Sequence, residues 1–287
     1  MTKGAFMTVE FLNISYFFFI LLTVAIIVGL TFFLKTKSDK TKKIVIFSLL
    51  AFNLALHFLK LLFPPYSLNA EQAMRDVWFI NICAVSVLAF PFIFASKNKT
   101  WKDFMFYLGA LSGGLALLIP TEALGERMFY FDTLRFYVCH MIIIVAPVLM
   151  VSLKVHTLNY KRIVKMPLCM MVYMLFIICN QVLQSELGIV ALRGDDITEI
   201  GYRNNSFIWG PTDDLAKAFT VFTPNFMKTI PFGAFAGTPK YWPFFWIIPG
   251  VFVYFTLLPF LMVLPMQYQT IKKDVKKLLK NFRIKIV

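Results

Sequence analysis

Apolar residues come in long unbroken runs, and the charged residues are confined to the stretches between them. Seven such runs can be read as helical spans: Phe11–Leu34, Ile44–Phe63, Val77–Ala95, Phe104–Pro120, Phe131–Leu153, Met166–Leu187 and Trp242–Met266. At about 1.5 Å of rise per residue, runs of this length cross most or all of a hydrocarbon core roughly 30 Å thick. The runs are continuously apolar rather than alternating, which excludes an outer-membrane barrel. The expected fold class is therefore an all-α integral membrane protein with seven transmembrane helices. Pro64-Pro65 should end the second span, because proline cannot continue a helix. Pro249, Pro259 and Pro265 should kink the last. In the fourth, Gly109, Ser112, Gly113 and Ala116 offer a smooth face for close packing.

Composition agrees with this pattern. Of 287 residues, 59% are hydrophobic and 17% aromatic, and the mean hydropathy is +0.71. The formal charge of +14 would suggest nucleic acid in a soluble protein. Here it marks one side of a membrane. The stretches after spans one, three and five and the C-terminal tail hold most of the 29 lysines and arginines but only three acids, Asp39, Asp103 and Asp274. This bias predicts the N-terminus outside and the C-terminus cytoplasmic. Met1–Glu10 is not basic enough for a cleavable signal peptide. The expected location is the cell membrane, as a multi-pass protein.

The expected organisation is a seven-helix bundle over residues 1–268, followed by a basic tail, 269–287. The tail reads either as an amphipathic helix on anionic lipid or as a simple stop-transfer anchor. One outer loop, 188–241, is long and rich in Phe, Trp and Pro, which suits a lid over the bundle. Within it, Thr212-Asp213-Asp214 should cap a short helix that runs to Phe222 and stops at Thr223-Pro224.

The polar residues inside the spans fall on shared faces. Asn53, His57 and Lys60 line one face of the second span. Asp76, Cys83 and Ser86 would share a face of the third; Thr133, Tyr137 and His140, the fifth; Tyr173, Asn180 and Gln184, the sixth. Polar groups in a membrane are costly and usually face the bundle interior. Four helices donating them at similar depth point to a buried polar cavity near the outer surface.

Within that layer Cys83 could act as a nucleophile if His140 takes its proton, with His57 a competing base. Lys60 or Arg135 could hold an anionic headgroup, and Asn180 could orient the imidazole or donate to an oxyanion. Asn81, Tyr137 and Gln184 complete the expected substrate-binding set. Packing is the alternative for each: buried cysteines fill space well, and Lys60 could snorkel to the surface. The four cysteines, Cys83, Cys139, Cys169 and Cys179, sit inside apolar runs with no Cys-x-x-Cys spacing, so neither a disulfide framework nor a zinc site is expected. No metal, cofactor or nucleic-acid partner is expected, and the oligomeric state is left open.

Three stretches carry a family resemblance: WFINICAVSVLAFPFIF in the third span, YLGALSGGLALLIPT in the fourth, and FDTLRFYVCHMIIIVAPVLMV in the fifth. With Asn180 late in the sixth span, the chain resembles the YwaF-like seven-helix membrane proteins, whose animal relatives are transmembrane acyltransferases acting on phospholipids. Cys83 matches the position of the acyl-accepting cysteine and His140 the histidine of the fifth helix. Asn81 stands where many bacterial relatives have a histidine. The resemblance implies acyl transfer through a thioester, with a membrane phospholipid or lysophospholipid as partner. Two competing readings remain at this level. One is a transporter or substrate-binding protein, against which no inverted repeat with broken helices is legible. The other is a scaffold or accessory subunit.

Overall fold

A computed structural model describes residues 8–188, 205–211, 214–233 and 236–285. Among these the chain is all-helical apart from a single bridge between Thr8 and Arg127. Five helical stretches are long and apolar enough to cross a membrane: Ile14–Leu34, Asp39–Leu68, Phe131–Ser152, Tyr160–Glu186 and Phe245–Asn281.

The long helices are α1 (Ile14–Leu34), α2 (Asp39–Leu59), α7 (Phe131–Ser152), α8 (Met166–Glu186) and α10 (Ile248–Lys285). Between α2 and α7 lie α3 (Ala70–Val77), α4 (Ile82–Ala95), α5 (Lys99–Leu108) and α6 (Gly114–Leu118). Local chemistry sets most starts. Ser38, Asn13 and Asn98 each accept hydrogen bonds from amides of the first turn, which meets donors that a helix start leaves free.

Two spans differ from the sequence expectation. The third is not one helix. It breaks between Val77 and Ile82, and α4 begins inside the apolar run with only 14 residues. A face shared by Asp76 and Cys83 therefore does not exist, since the helical register is interrupted between them. The fourth starts early, at Lys99, and runs through a π turn at Gly109–Gly113 into α6. The expected close packing is present there. A Cβ on Gly109 would press into the Ile143 carbonyl, and one on Gly113 would lie 2.7 Å from the Ile144 side chain. Only hydrogen fits where α5 and its π turn meet α7.

The last helix is also longer than the apolar run. It continues to Lys285, and its backbone departs from helical geometry only at Gln267, two residues after Pro265. Pro259 is carried without such a break. The Gln267 side chain spans the bend, donating to the Leu158 carbonyl and accepting the Tyr160 N–H.

The bundle centres on α7, which packs against α1, α2, α4, α5 and α6, while α4 packs against α2, α5, α7 and α8. Its core runs from Val85, Phe90 and Phe94 through Phe104 and Leu108 to Ile143, Met170 and Met174. A smaller apolar cluster joins α1 to α7, where Phe19 and Tyr137 stack at 3.7 Å.

The described parts of the segment between α8 and α10 fold onto this bundle. Ile208 and Trp209 belong to the main core. Buried Trp246 donates from Nε1 to the Phe207 and Ile208 carbonyls at 2.9 and 3.2 Å. A short helix, α9 (Asp214–Phe219), continues as one tighter turn to Phe222 and ends at Thr223. It leans on α10, where Gly250 leaves room for Phe219 and Tyr254 donates to the Ala218 carbonyl. Asp214 sits in its first turn, whereas the expected caps Thr212 and Asp213 lie outside the described residues, as do parts of the 188–241 loop.

Candidate functional site

The break before α4 places unwound backbone within an apolar run. Such backbone is tolerated at membrane depth only when its polar groups are met by protein. Here they are met from three directions. His57 on α2 donates from Nε2 to the Val77 carbonyl at 2.8 Å. A carbonyl can only accept, so Nε2 carries the proton and Nδ1 the lone pair. The His57 ring also stacks on Phe79 at 4.8 Å. Asn180 on α8 donates to the Phe79 carbonyl at 3.1 Å. Ser206, in the segment between α8 and α10, accepts the Ile82 N–H at 3.1 Å.

Asn81 closes the arrangement by capping α4. Its side-chain oxygen accepts the Ala84 N–H at 2.7 Å. Asn81, expected among the substrate-binding residues, thus also serves as the cap of α4. The apolar run stops being helical before this residue because a cap and three distant side chains together satisfy the opened backbone.

Cys83 is the second residue of α4 and is a half-buried free thiol. Its own N–H has no acceptor among the described residues. The thiol therefore sits beside the positive end of a helix and next to an open donor, the surroundings that favour an oxyanion.

His140 lies on α7, buried to 9% exposure. Its Nδ1 meets the Phe136 carbonyl at 2.7 Å, so Nδ1 donates and Nε2 is left as the basic nitrogen. One turn away, Asn53 of α2 donates to the Cys139 carbonyl at 3.2 Å. Asn53 is 1% exposed, and its side-chain oxygen has no partner. The Thr133 hydroxyl, the Trp78 indole N–H and the Gln184 amide nitrogen are likewise buried without partners. Leaving such groups unmet costs about 1–3 kcal/mol each. The Tyr107, Tyr137 and Tyr173 hydroxyls are buried without partners as well, so unmet groups are not confined to the helices around the break.

The cations form a neighbouring group. Arg135 donates to Asp132 at 2.7 Å and to the Tyr66 hydroxyl at 3.0 Å, and Tyr66 in turn donates to Asp132 at 3.1 Å. Lys60 does not snorkel. It is buried, with its ammonium 5.1 Å from the Tyr66 ring centre. Tyr137 parts from the rest, turned toward α1 in its stack with Phe19. Gln184 is buried on the last turn of α8, one turn beyond Gln181, which accepts the Trp209 indole N–H.

Thus His57, Asn81, Cys83 and Asn180 converge on one short stretch of backbone; Lys60 and Arg135 join through Tyr66; Tyr137 stands apart. Two contributors were not singled out as site residues from sequence. Asn53 shares the helical face of His57, which was the available signal. Ser206 lies in a loop with no periodicity to place it.

A second polar cluster sits at the opposite end of the bundle and is of another kind. Asp103 on α5 is fully buried. It receives two bonds from Arg162, at 2.6 and 2.9 Å, one from His156, and the Asn159 N–H. Every member is paired. Among the described residues no group of three or more His, Cys, Asp or Glu side chains could hold a metal ion.

A helical bundle with several apolar spans and a polar layer walled in by them defines a polytopic membrane protein. The sequence pattern of the TMEM164 family matches residues 8–200. That is well over half of the chain, and the chain belongs to this family. The match takes in α1 to α8, and with them Cys83, His140, His57 and Asn180, and leaves out α10. No curated protein and no solved structure matches the chain.

Proposed function

We propose that this protein is a membrane-embedded lipid acyltransferase that uses Cys83 as nucleophile and His140 as base. The observation that carries the reading is the site of the thiol: the first turn of a helix that begins inside the bundle, with an open backbone donor beside it. In the first step the Cys83 sulfur attacks an ester carbonyl of a phospholipid and its proton passes to His140 Nε2. The Cys83 N–H supports the developing oxyanion. The acyl–oxygen bond breaks, and the lysolipid hydroxyl leaves with that proton. A second lipid hydroxyl then takes the acyl chain from sulfur as His140 removes its proton. The unwound segment, fixed by His57 and Asn180, sets where the thiol stands. The outer segment latched by Ser206 limits water, which would hydrolyse the thioester.

The reading includes seven crossings. Ile82–Ala95 and Lys99–Leu118 supply the two shorter ones, with the N-terminus outside and the C-terminus cytoplasmic in a cell membrane. Ile82–Ala95, with 14 residues, is shorter than the hydrocarbon core because α4 starts within the apolar run, whereas Lys99–Leu118 reaches about 30 Å. The YwaF-like resemblance supports the same chemistry.

The test is acyl transfer between phospholipids by the purified, reconstituted chain. Cys83→Ser should lower it at least about a thousandfold while leaving the melting temperature unchanged. A thioester trapped with a labelled donor should map to Cys83. Label on Cys169 or Cys179, or full activity in Cys83→Ser, would refute the assignment. The broken third span also favours a second reading, a solute-binding or transport protein, since interrupted helices often frame such sites. In that case Cys83→Ser would leave substrate binding intact.

A further inference from the structure

The C-terminal part of α10, beyond the bend at Gln267, is helical to Lys285 although the apolar span has already ended. Nothing in the proposed chemistry uses it. Its residues segregate by face. At 100° per residue, Ile271, Val275 and Leu278 fall within an arc of about 60°, with Leu279 at its edge. Lys272, Lys273, Lys276, Lys277 and Lys280 occupy the opposite side.

The apolar stripe begins covered and ends bare. Ile271 is buried, whereas Val275, Leu278 and Leu279 are 50%, 56% and 57% exposed. Asp274 is the one acid of this stretch, and it is engaged by the Tyr160 hydroxyl and the Lys161 ammonium, both at 2.6 Å. Those contacts hold the helix against the turn that precedes α8. They also remove its only negative charge from the field that the lysines present.

We propose that residues 268–285 form a docking helix for the headgroup layer of an anionic bilayer. Val275, Leu278 and Leu279 would enter the acyl boundary and the lysines would meet lipid phosphates. Charge complementarity selects this occupant. An apolar stripe bordered by a solid cationic face fits a surface that is greasy below and negative above. A neutral membrane would satisfy the stripe and leave five ammonium groups without counterpart. The inference does not depend on the acyl-transfer reading.

Hydrogen exchange on the full chain in lipid nanodiscs tests it. Amides of residues 271–281 should exchange at least about tenfold more slowly in phosphatidylcholine discs containing phosphatidylglycerol than in phosphatidylcholine alone. Added salt should erase the difference. The triple variant Lys276→Glu, Lys277→Glu, Lys280→Glu should also erase it, each reversal weakening attachment by about fivefold or more. Equal exchange in the two lipids overturns the proposal. So does protection that appears only when RNA or an acidic protein is added.

Discussion

The two ends of the bundle solve the problem of buried polarity in opposite ways. At the end where α4 starts, neutral side chains serve opened backbone, His57 and Asn180 as donors and Ser206 as acceptor, and several side-chain atoms are left unmet. Around Asp103, formal charges answer each other. The second arrangement is what stability alone would select. The first holds groups in readiness at a cost to stability, which is how binding and catalytic layers are generally built. The contrast sets a fully paired joint around Asp103 beside the candidate site at the start of α4.

The largest effect should come from the paired end. Asp103→Ala would strand Arg162 and His156 together, and losing one partner of a buried ion pair costs about 3–5 kcal/mol. Thermal unfolding in detergent should show a collapse of the transition or a failure to recover folded protein. A shift no larger than that of a surface substitution would mean that the cluster is not a joint. Asn180→Leu should come next. It frees the Phe79 carbonyl in an apolar setting, a loss of about 1–2 kcal/mol, and hydrogen exchange should rise over residues 78–84. If exchange rises elsewhere, the break is held by something other than this bond. Asn53→Leu should do least. It removes one bond to a carbonyl within a helix together with an unmet oxygen, so stability should move by about 0.5 kcal/mol or less. Acyl transfer should nevertheless fall, and a variant equal to wild type in both would place Asn53 outside the working layer.

The long helices could be read from the apolar runs, because in a membrane length and composition decide helicity. The face shared by Asn53 and His57 was legible for the same reason: α2 is regular through both. The break before α4 was not. Nothing between Val77 and Cys83 is proline or glycine, and the partners that stabilise the break sit 20 residues upstream at His57 and more than a hundred downstream at Asn180 and Ser206. Only Asn81, a good capping residue in the middle of an apolar run, hinted at it. No inverted repeat with broken helices was legible in the sequence, and this single interruption between Val77 and Ile82 was not foreseen. The Asp103 cluster was hidden differently. Its members lie in stretches whose charges serve equally well to orient a membrane protein, and a count of signs carries no information about pairing. Lys60 escaped the snorkelling expectation because Tyr66, just after the Pro64-Pro65 turn, folds back beside it.

The hydroxyl of Ser206 accepts an amide proton one residue from the thiol, and the backbone there is held at positive φ in both Ser206 and Phe207. Removing that hydroxyl from its place exchanges the partner of a peptide group in the first turn of α4. A binder that pulls Ser206 off the Ile82 amide would therefore also perturb the first turn of α4, and a ligand that prefers one arrangement of that turn would change the binder's affinity by the same factor.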